Sequence, residues 1–264
     1  FVFLGIKMVG QEYDLPEYIN HLADNPFMIS PAYAGIGAGL QVRANGVAQW
    51  VGVDNAPNTQ SLTVEARLAS RLGGGLTIFN DGNGFTSQKG IRLSMASHLT
   101  LSDVYDSFLS FGLTYTFVQY GIDTSENNTN EFRPNFNQNS SNFDISMLYR
   151  FDRFALSVNL VNVLDRRIED FVGTDEPANL RKYSLFTSYT VKLKRGLELE
   201  PSLFVKYFES DGRSKTDANI KLRGRIKEGY VWAGLSVTLL NDQVALPNDL
   251  SPMIGIKKKN FYFS

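Results

Sequence analysis

The sequence predicts an all-β protein, a transmembrane antiparallel up-and-down β-barrel with about 14 strands in the full-length protein. Segments of about ten residues alternate between apolar and polar side chains, which is typical of strands that cross a bilayer. The 264 residues contain no apolar run of the roughly 18 residues that a membrane-spanning helix needs. The links between the segments alternate between short and long, which is typical of bacterial barrels with short periplasmic turns and longer extracellular loops.

The N-terminal 39 residues do not fit this pattern. Residues 1–10 are interpreted as the remnant of a signal peptide cleaved before Gln11, with a native apolar N-terminus as the alternative. Residues 11–39 do not alternate, and Pro26 and Pro31 exclude a regular strand interior. We therefore predict a segment that lies in the periplasm or plugs the barrel, with one short helical turn at residues 17–22.

The alternation begins at residues 40–50 and recurs to the end of the chain. In this first strand Leu40, Val42 and Ala44 share one face, and Gln41 and Arg43 lie on the other. Further strands are predicted at residues 61–69, 74–80, 90–98, 108–120, 143–149, 154–163, 183–191, 197–207, 217–223, 230–239 and 253–256, and Phe261 begins another. Since closed bacterial barrels have an even number of strands, we expect the barrel of residues 40–264 to lack its last strand.

The two ends of the predicted barrel differ in charge. Long loops are predicted at residues 81–89, 121–141, 164–181 and 241–251, and they are rich in acidic residues, among them Asp123, Glu126, Glu131, Glu169, Asp170, Asp175 and Glu176. The short links carry Arg71, Arg150, Arg153, Lys192, Lys194, Arg195, Arg225, Lys227, Lys257, Lys258 and Lys259. Loop lengths place the N-terminus and this basic rim in the periplasm. The rim is interpreted either as a contact for phospholipid headgroups or as a docking surface for an acidic partner.

Alternation alone does not separate a membrane barrel from a soluble protein, because a β-sandwich or propeller also alternates, with its apolar face inward. In a barrel the polar faces point into the lumen. They would form either a mutually paired ionic network or a charged pore that selects solutes. The charged residues on these faces are Arg43, Glu65, Arg67, Arg92, Asp144, Glu198, Glu200, Lys206, Asp217, Lys221 and Arg223.

Composition and spacing argue against several kinds of site. The chain has no cysteine, which excludes disulfides and thiolate metal sites, and its net charge of -1 argues against nucleic acid as a partner. His21 and His98 are far apart in sequence, which argues against a histidine triad or metal site. Residues 80–84 offer oxygen donors for Ca²⁺, but they lack EF-hand spacing and suit a hairpin turn. We predict no catalytic residue, no metal and no cofactor.

Several motifs follow one another along the chain in the order of a known family. They are residues 25–35 (NPFMISPAYAG), 49–52 (QWVG), 55–59 (NAPNT), 79–84 (FNDGNG), 208–214, 240–243 and 251–257. Through these motifs the chain, from about Gln11 to its last residue, resembles the PorP/SprF family of Bacteroidetes outer-membrane proteins.

The resemblance implies a non-enzymatic β-barrel of the Gram-negative outer membrane that takes part in type IX protein secretion. SprF-like members help to secrete or anchor large surface adhesins, including gliding adhesins, through the adhesins' C-terminal domains. PorP-like members are linked to periplasmic components of the secretion machine. The implied partners are outer-membrane lipids, type IX secretion components and adhesin C-terminal domains, and the alternative function is that of a passive porin or solute transporter.

The family motifs supply the candidate partner-binding residues. They are Asn25, Pro26, Phe27, Pro31, Ala32, Tyr33, Gly35, Gln49, Trp50, Gly52, Ala56 and Pro57. The aromatic residues of the first group, Phe27 and Tyr33, suit packing within the barrel or contact with the secretion machinery.

Overall fold

The computed structural model describes residues 25–37, 39–53, 55–84, 86–122, 136–164, 181–209, 212–241 and 247–264. Three 3-10 turns lie at Pro26–Met28, Pro31–Tyr33 and Lys194–Gly196. The strands are β1 (Gln41–Ala48), β2 (Asn58–Ala69), β3 (Leu72–Asn83), β4 (Thr86–Ser102), β5 (Ser107–Ile122), β6 (Phe136–Phe151), β7 (Phe154–Val161), β8 (Lys182–Tyr189), β9 (Val191–Lys192), β10 (Leu197–Phe208), β11 (Ser214–Ile226), β12 (Gly229–Leu240), β13 (Asp249–Lys258) and β14 (Phe261–Phe263). Over these ranges we find no helix that is long and apolar enough to cross a bilayer.

All fourteen strands belong to one antiparallel sheet in which each strand pairs with its neighbours in sequence. The exception is β9, which continues β8 past Thr190, so that both pair with β10. The predicted up-and-down order is therefore confirmed, and every predicted strand is present. Within the described chain β1 and β14 are the two ends of the sheet and do not pair with each other.

The polar face of the sheet is buried and the apolar face is exposed. In β2, Thr59, Ser61 and Thr63 are buried, whereas Leu62 is 44% and Leu68 is 62% exposed. The same inversion holds in the other strands, where exposed apolar side chains include Leu93, Phe111, Leu113, Phe117, Ile145, Met147, Leu185, Ile220, Leu235 and Ile254. This is the opposite of a soluble β-sandwich, so the soluble alternative is wrong.

The energetic argument leads to the same conclusion. Burying one Leu or Phe side chain contributes about 1.5–3 kcal/mol, whereas a whole domain is stable by only about 5–15 kcal/mol. An apolar face that covers most strands is therefore not stable against water, and contiguous exposed patches of this extent mark surfaces that contact a membrane or another protein. Hydrocarbon outside and polar groups inside is the arrangement of a transmembrane barrel.

One predicted long loop, residues 81–89, is wrong. β3 and β4 extend to Asn83 and Thr86 and leave only two residues between them, of which Gly84 has a φ of +60°. The strands continue because Asp81 accepts hydrogen bonds from Thr59 Oγ1 on β2 and from Gln88 Nε2 on β4, the latter at 3.3 Å. The gap between the predicted strands 90–98 and 108–120 likewise shortens to the turn Asp103–Asp106. The helical turn predicted at residues 17–22, His21 and most of the three other long loops lie outside the described residues.

Six of the short connections lie at one end of the sheet, which we call the turn end, whereas the short β3–β4 connection lies at the opposite end. The turn end comprises the links β2–β3, β4–β5, β6–β7, β9–β10, β11–β12 and β13–β14. The opposite end, which holds the link between β1 and β2, is called the loop end.

Candidate functional site

Residues 25–37, which we call the N-terminal segment, lie against the buried polar face of the sheet. Two 3-10 turns shape the segment, and each has a proline at its start, where the missing N–H costs no hydrogen bond. The prediction that these prolines exclude a strand is confirmed. Ser30, Ala32 and Ala34 are fully buried, so one side of the segment is enclosed completely.

Hydrogen bonds tie the segment to the middle strands of the sheet. Ser157 Oγ on β7 donates to Ser30 Oγ at 2.9 Å, and the Ala32 N–H donates to Ser146 Oγ on β6 at 2.9 Å. His98 Nε2 on β4 lies 3.0 Å from the Ala34 carbonyl oxygen. Because a carbonyl can only accept, Nε2 carries the proton, and Nδ1 of the neutral ring accepts from Ser110 Oγ at 2.7 Å. His98 thus lies on the polar face and helps to hold the segment in position.

Gly35 ends the tightly packed part of the segment and requires a glycine for two reasons. Its φ of +71° is a conformation that L side chains rarely adopt, and a Cβ would lie 2.7 Å from both the Ala66 oxygen and the Gly73 Cα. Its N–H donates to Glu65 Oε2 at 3.2 Å, and its carbonyl accepts from Arg67 Nε at 3.1 Å. The backbone of the segment and that of the wall are therefore in direct contact here.

Three glycines of the wall make room for this contact. A Cβ on Gly73 would collide with the Ala34 carbonyl, and one on Gly75 would collide with the Phe27 ring. On β5, a Cβ on Gly112 would collide with the Pro31–Ala32 backbone and with Ser146 Oγ. These positions form a groove in the wall whose shape matches the segment.

The sheet curls around the segment. One cavity of about 100 Å³ is lined by Phe27, Ile29 and Pro31 of the segment and by wall residues from β2 to β10. Its charged lining residues are Arg92, Asp144, Lys182 and Lys206. Strands that are far apart in the sheet order therefore face one lumen. A space of this size holds a few water molecules and no polypeptide.

Beyond the segment the inner wall carries paired charges on β10 and β11. Glu200 lies 3.4 Å from Lys221, and Glu198 lies 3.3 Å from Arg223 and 2.9 Å from Arg225. Arg43 and Glu65 form a similar pair at 2.5 Å between β1 and β2. Buried charges require such partners, because an isolated one would cost several kcal/mol. At these positions the predicted paired network is confirmed.

Tyr33 packs against the buried cluster of Phe27, Ala34 and Ala96. Burial is the main reason that the pKa of the Tyr33 hydroxyl lies far above the ordinary value. Arg150 on β6 lowers this pKa and Glu200 on β10 raises it, both by less than burial does. The hydroxyl forms no hydrogen bond with the described chain. A buried hydroxyl without a partner costs about 1–3 kcal/mol, so this ring is held by its packing.

We expect Tyr33→Phe to stabilise the folded protein by about 1 kcal/mol, since it removes that unpaired hydroxyl. The wild-type protein should lose stability as the pH rises above about 10, where the unfolded phenol ionises and the buried one does not. Denaturant titrations of both proteins at neutral and alkaline pH check this. A difference that stays constant across this range, or a destabilised Tyr33→Phe, would contradict it.

The second group of candidate residues lies elsewhere. Gln49, Trp50, Gly52, Ala56 and Pro57 form the link between β1 and β2 at the loop end, closed by a 3.0 Å hydrogen bond from the Gln49 N–H to the Pro57 carbonyl. Trp50 is 69% exposed and has a φ of +47°, which is unusual for a residue with a Cβ. Asn25, Pro26, Phe27, Pro31, Ala32, Tyr33 and Gly35 all lie inside the sheet, so the structure does not bring the two groups together.

The residues that receive the N-terminal segment were not predicted as site residues. They are Glu65, Arg67, Gly73, Gly75, His98, Gly112, Ser146 and Ser157. The sequence offered two signals, a lone histidine in a predicted strand and the run of glycines at 73–75, where a predicted strand begins and glycine often marks close backbone approach.

Comparison with known proteins gives one result. The family model described as type IX secretion system membrane protein PorP/SprF matches residues 10–264. Curated proteins and solved structures give no significant match.

Proposed function

Because the chain belongs to the PorP/SprF family of type IX secretion system membrane proteins, we propose that it is an outer-membrane accessory of that system. In one form of the proposal it helps to secrete or anchor large surface adhesins through their C-terminal domains. In the other it links the outer membrane to periplasmic components of the secretion machine. Membership implies association with type IX secretion components, and the family is not a known enzyme family. The match over residues 10–264 carries the proposal. The apolar outer face of the sheet supports the location in the outer membrane.

In this proposal the N-terminal segment is the plug of the barrel. Its support is the set of hydrogen bonds from β2, β4, β6 and β7, together with the wall glycines that fit its backbone. The turn end, where the segment meets Gly73, would face the periplasm, since short turns lie on that side of bacterial barrels. The exposed Trp50 link at the opposite end is then the group of candidate partner-binding residues that is free to contact cargo.

A passive porin or solute transporter is the second candidate, and the polar lining of the lumen favours it. The N-terminal segment and the ion pairs lie within that lumen, however, and the cavity beside the segment is only about 100 Å³. A porin would conduct ions in a planar bilayer, whereas a plugged accessory would not.

Deleting the gene in its host should reduce the surface amount of proteins that carry type IX C-terminal domains, and expression of the wild-type chain should restore it. Quantitative proteomics of the cell surface measures the effect, and an outer-membrane protein that uses another secretion route is the control. Unchanged surface amounts of all such cargo would refute the proposal, and slower uptake of small solutes in the mutant would favour the porin.

A further inference from the structure

The charges at the turn end are not spread evenly around the sheet. Six links lie at this end. The charges of each link are counted over its own residues and the two residues on either side of it. The three links among β2 to β7 contain three Arg and three Asp, which gives no net charge. The three links among β9 to β14 contain eight Lys or Arg and two Glu, which gives a net charge of +6.

We propose that this second set of links is a docking surface for an acidic protein partner, and we call it the basic sector. Its cations are Lys192, Lys194, Arg195, Arg225, Lys227, Lys257, Lys258 and Lys259, all of them exposed. Its acids are Glu198 and Glu228. The proposal deepens the proposed function, on which it rests only for the expectation that the partner belongs to the secretion machinery.

Few of these cations are neutralised within the protein. Arg225 pairs with Glu198 at 2.9 Å, and Lys259 lies 3.7 Å from Glu228. Lys192, Lys194, Arg195, Lys227 and Lys258 form no ion pair within the described chain. Neighbouring links are two strands apart, about 10 Å, which is close to the screening length of about 8 Å at physiological salt. Their fields therefore add, and the like charges repel each other until an anionic surface binds.

The one-sided distribution favours a protein over a lipid surface. Headgroups surround a barrel on all sides, so cations that serve them are expected in every link, yet the β2 to β7 links are neutral overall. The links of the basic sector also extend beyond the apolar outer face of the sheet, because Lys194 and Lys227 follow the exposed apolar residues Leu193 and Ile226. The six strand positions from β9 to β14 span about 24 Å, a width that fits a protein interface of standard size.

The test uses the whole protein in nanodiscs of phosphatidylcholine, with a short fluorescent polyglutamate peptide as the probe. We expect Lys194→Glu/Lys227→Glu to weaken probe binding at least about tenfold, and salt between about 50 and 300 mM to weaken binding to the wild type. The matched control is Arg71→Glu/Arg153→Glu, which makes the same change of charge at the same end in the neutral links. It should alter binding less than about twofold. Equal losses from both variants would show that net charge alone attracts the probe and would overturn the proposal.

A second arm identifies the partner class in cells. A photo-crosslinking amino acid replaces Lys227 in one strain and Arg71 in the other. An acidic protein adduct at position 227, absent at 71 and lost when Lys194→Glu/Lys258→Glu is added, supports the proposal. Lipid adducts, equal adducts at both positions or no adduct overturn it. The cargo assay measures the secretion role separately, so loss of the docking surface and loss of the proposed function give different results.

Discussion

Replacing Gly112 by Phe is expected to displace the N-terminal segment from the lumen while the sheet remains folded. A Cβ at this position would already collide with the Pro31–Ala32 backbone and with Ser146 Oγ, and a phenyl ring needs more space still. Overpacking of this kind costs about 1–3 kcal/mol. Since 1.4 kcal/mol is a factor of ten in an equilibrium, the displaced population should rise roughly tenfold to a hundredfold.

The absence of cysteine makes this displacement measurable. Ser30→Cys is nearly isosteric and places a single thiol at a fully buried position of the segment. A water-soluble maleimide should label Ser30→Cys slowly, and Ser30→Cys/Gly112→Phe at a rate higher by the same factor. Gly46→Phe is the control, because nothing lies within 4 Å of the Cβ that it would add.

A second variant keeps the test valid if Gly112→Phe misfolds. Ser146→Ala/Ser157→Ala removes two hydrogen bonds to the segment without adding volume, and each bond contributes about 1 kcal/mol. Circular dichroism and the gel shift on heating show whether the barrel is folded. Slow labelling in both folded variants would contradict the role of residues 25–37 as a plug.

The strands could be predicted from the sequence wherever one face contacts the apolar outer medium and the other face contacts the polar lumen. Between the apolar outer medium and the polar lumen every second residue is constrained, so β2 or β5 can be found from alternation alone. Pairing continues where this constraint ends. β6 begins at Phe136 rather than at the predicted 143, and its residues 137–142 (NQNSSN) are polar on both faces. They remain in the ladder because they pair with residues 116–121 of β5.

The candidate site was only half predictable. The prolines and the missing alternation indicated an irregular segment, but the residues that hold it depend on which strands curl around it. Ala34 and His98 are 64 positions apart, and Ser30 and Ser157 are 127 positions apart. No local pattern encodes such distances. The charge at the short links was visible in the sequence, whereas its concentration on one side required the strand order.

Replacing Leu113 by Arg is expected to destabilise the protein by about 2–4 kcal/mol, because an arginine at the bilayer midplane of a barrel costs that much. Leu113 lies midway along β5 on the outer face and is 49% exposed. In a water-soluble protein an exposed leucine tolerates the same change within about 0.5 kcal/mol. The free energy of unfolding in phospholipid vesicles, measured by denaturant titration, therefore reports what surrounds this face.

The matched control is Val104→Arg in the turn between β4 and β5. Val104 is 85% exposed, more than Leu113, yet it lies at the turn end, where the cost of arginine should fall to about 0–1 kcal/mol. If exposure to water governed both sites, the two variants would lose equally little stability. A larger loss of stability at Leu113, in the middle of its strand, than at the more exposed Val104 requires hydrocarbon around the sheet. Equal and small losses would place both residues in water and remove the physical basis for a membrane protein.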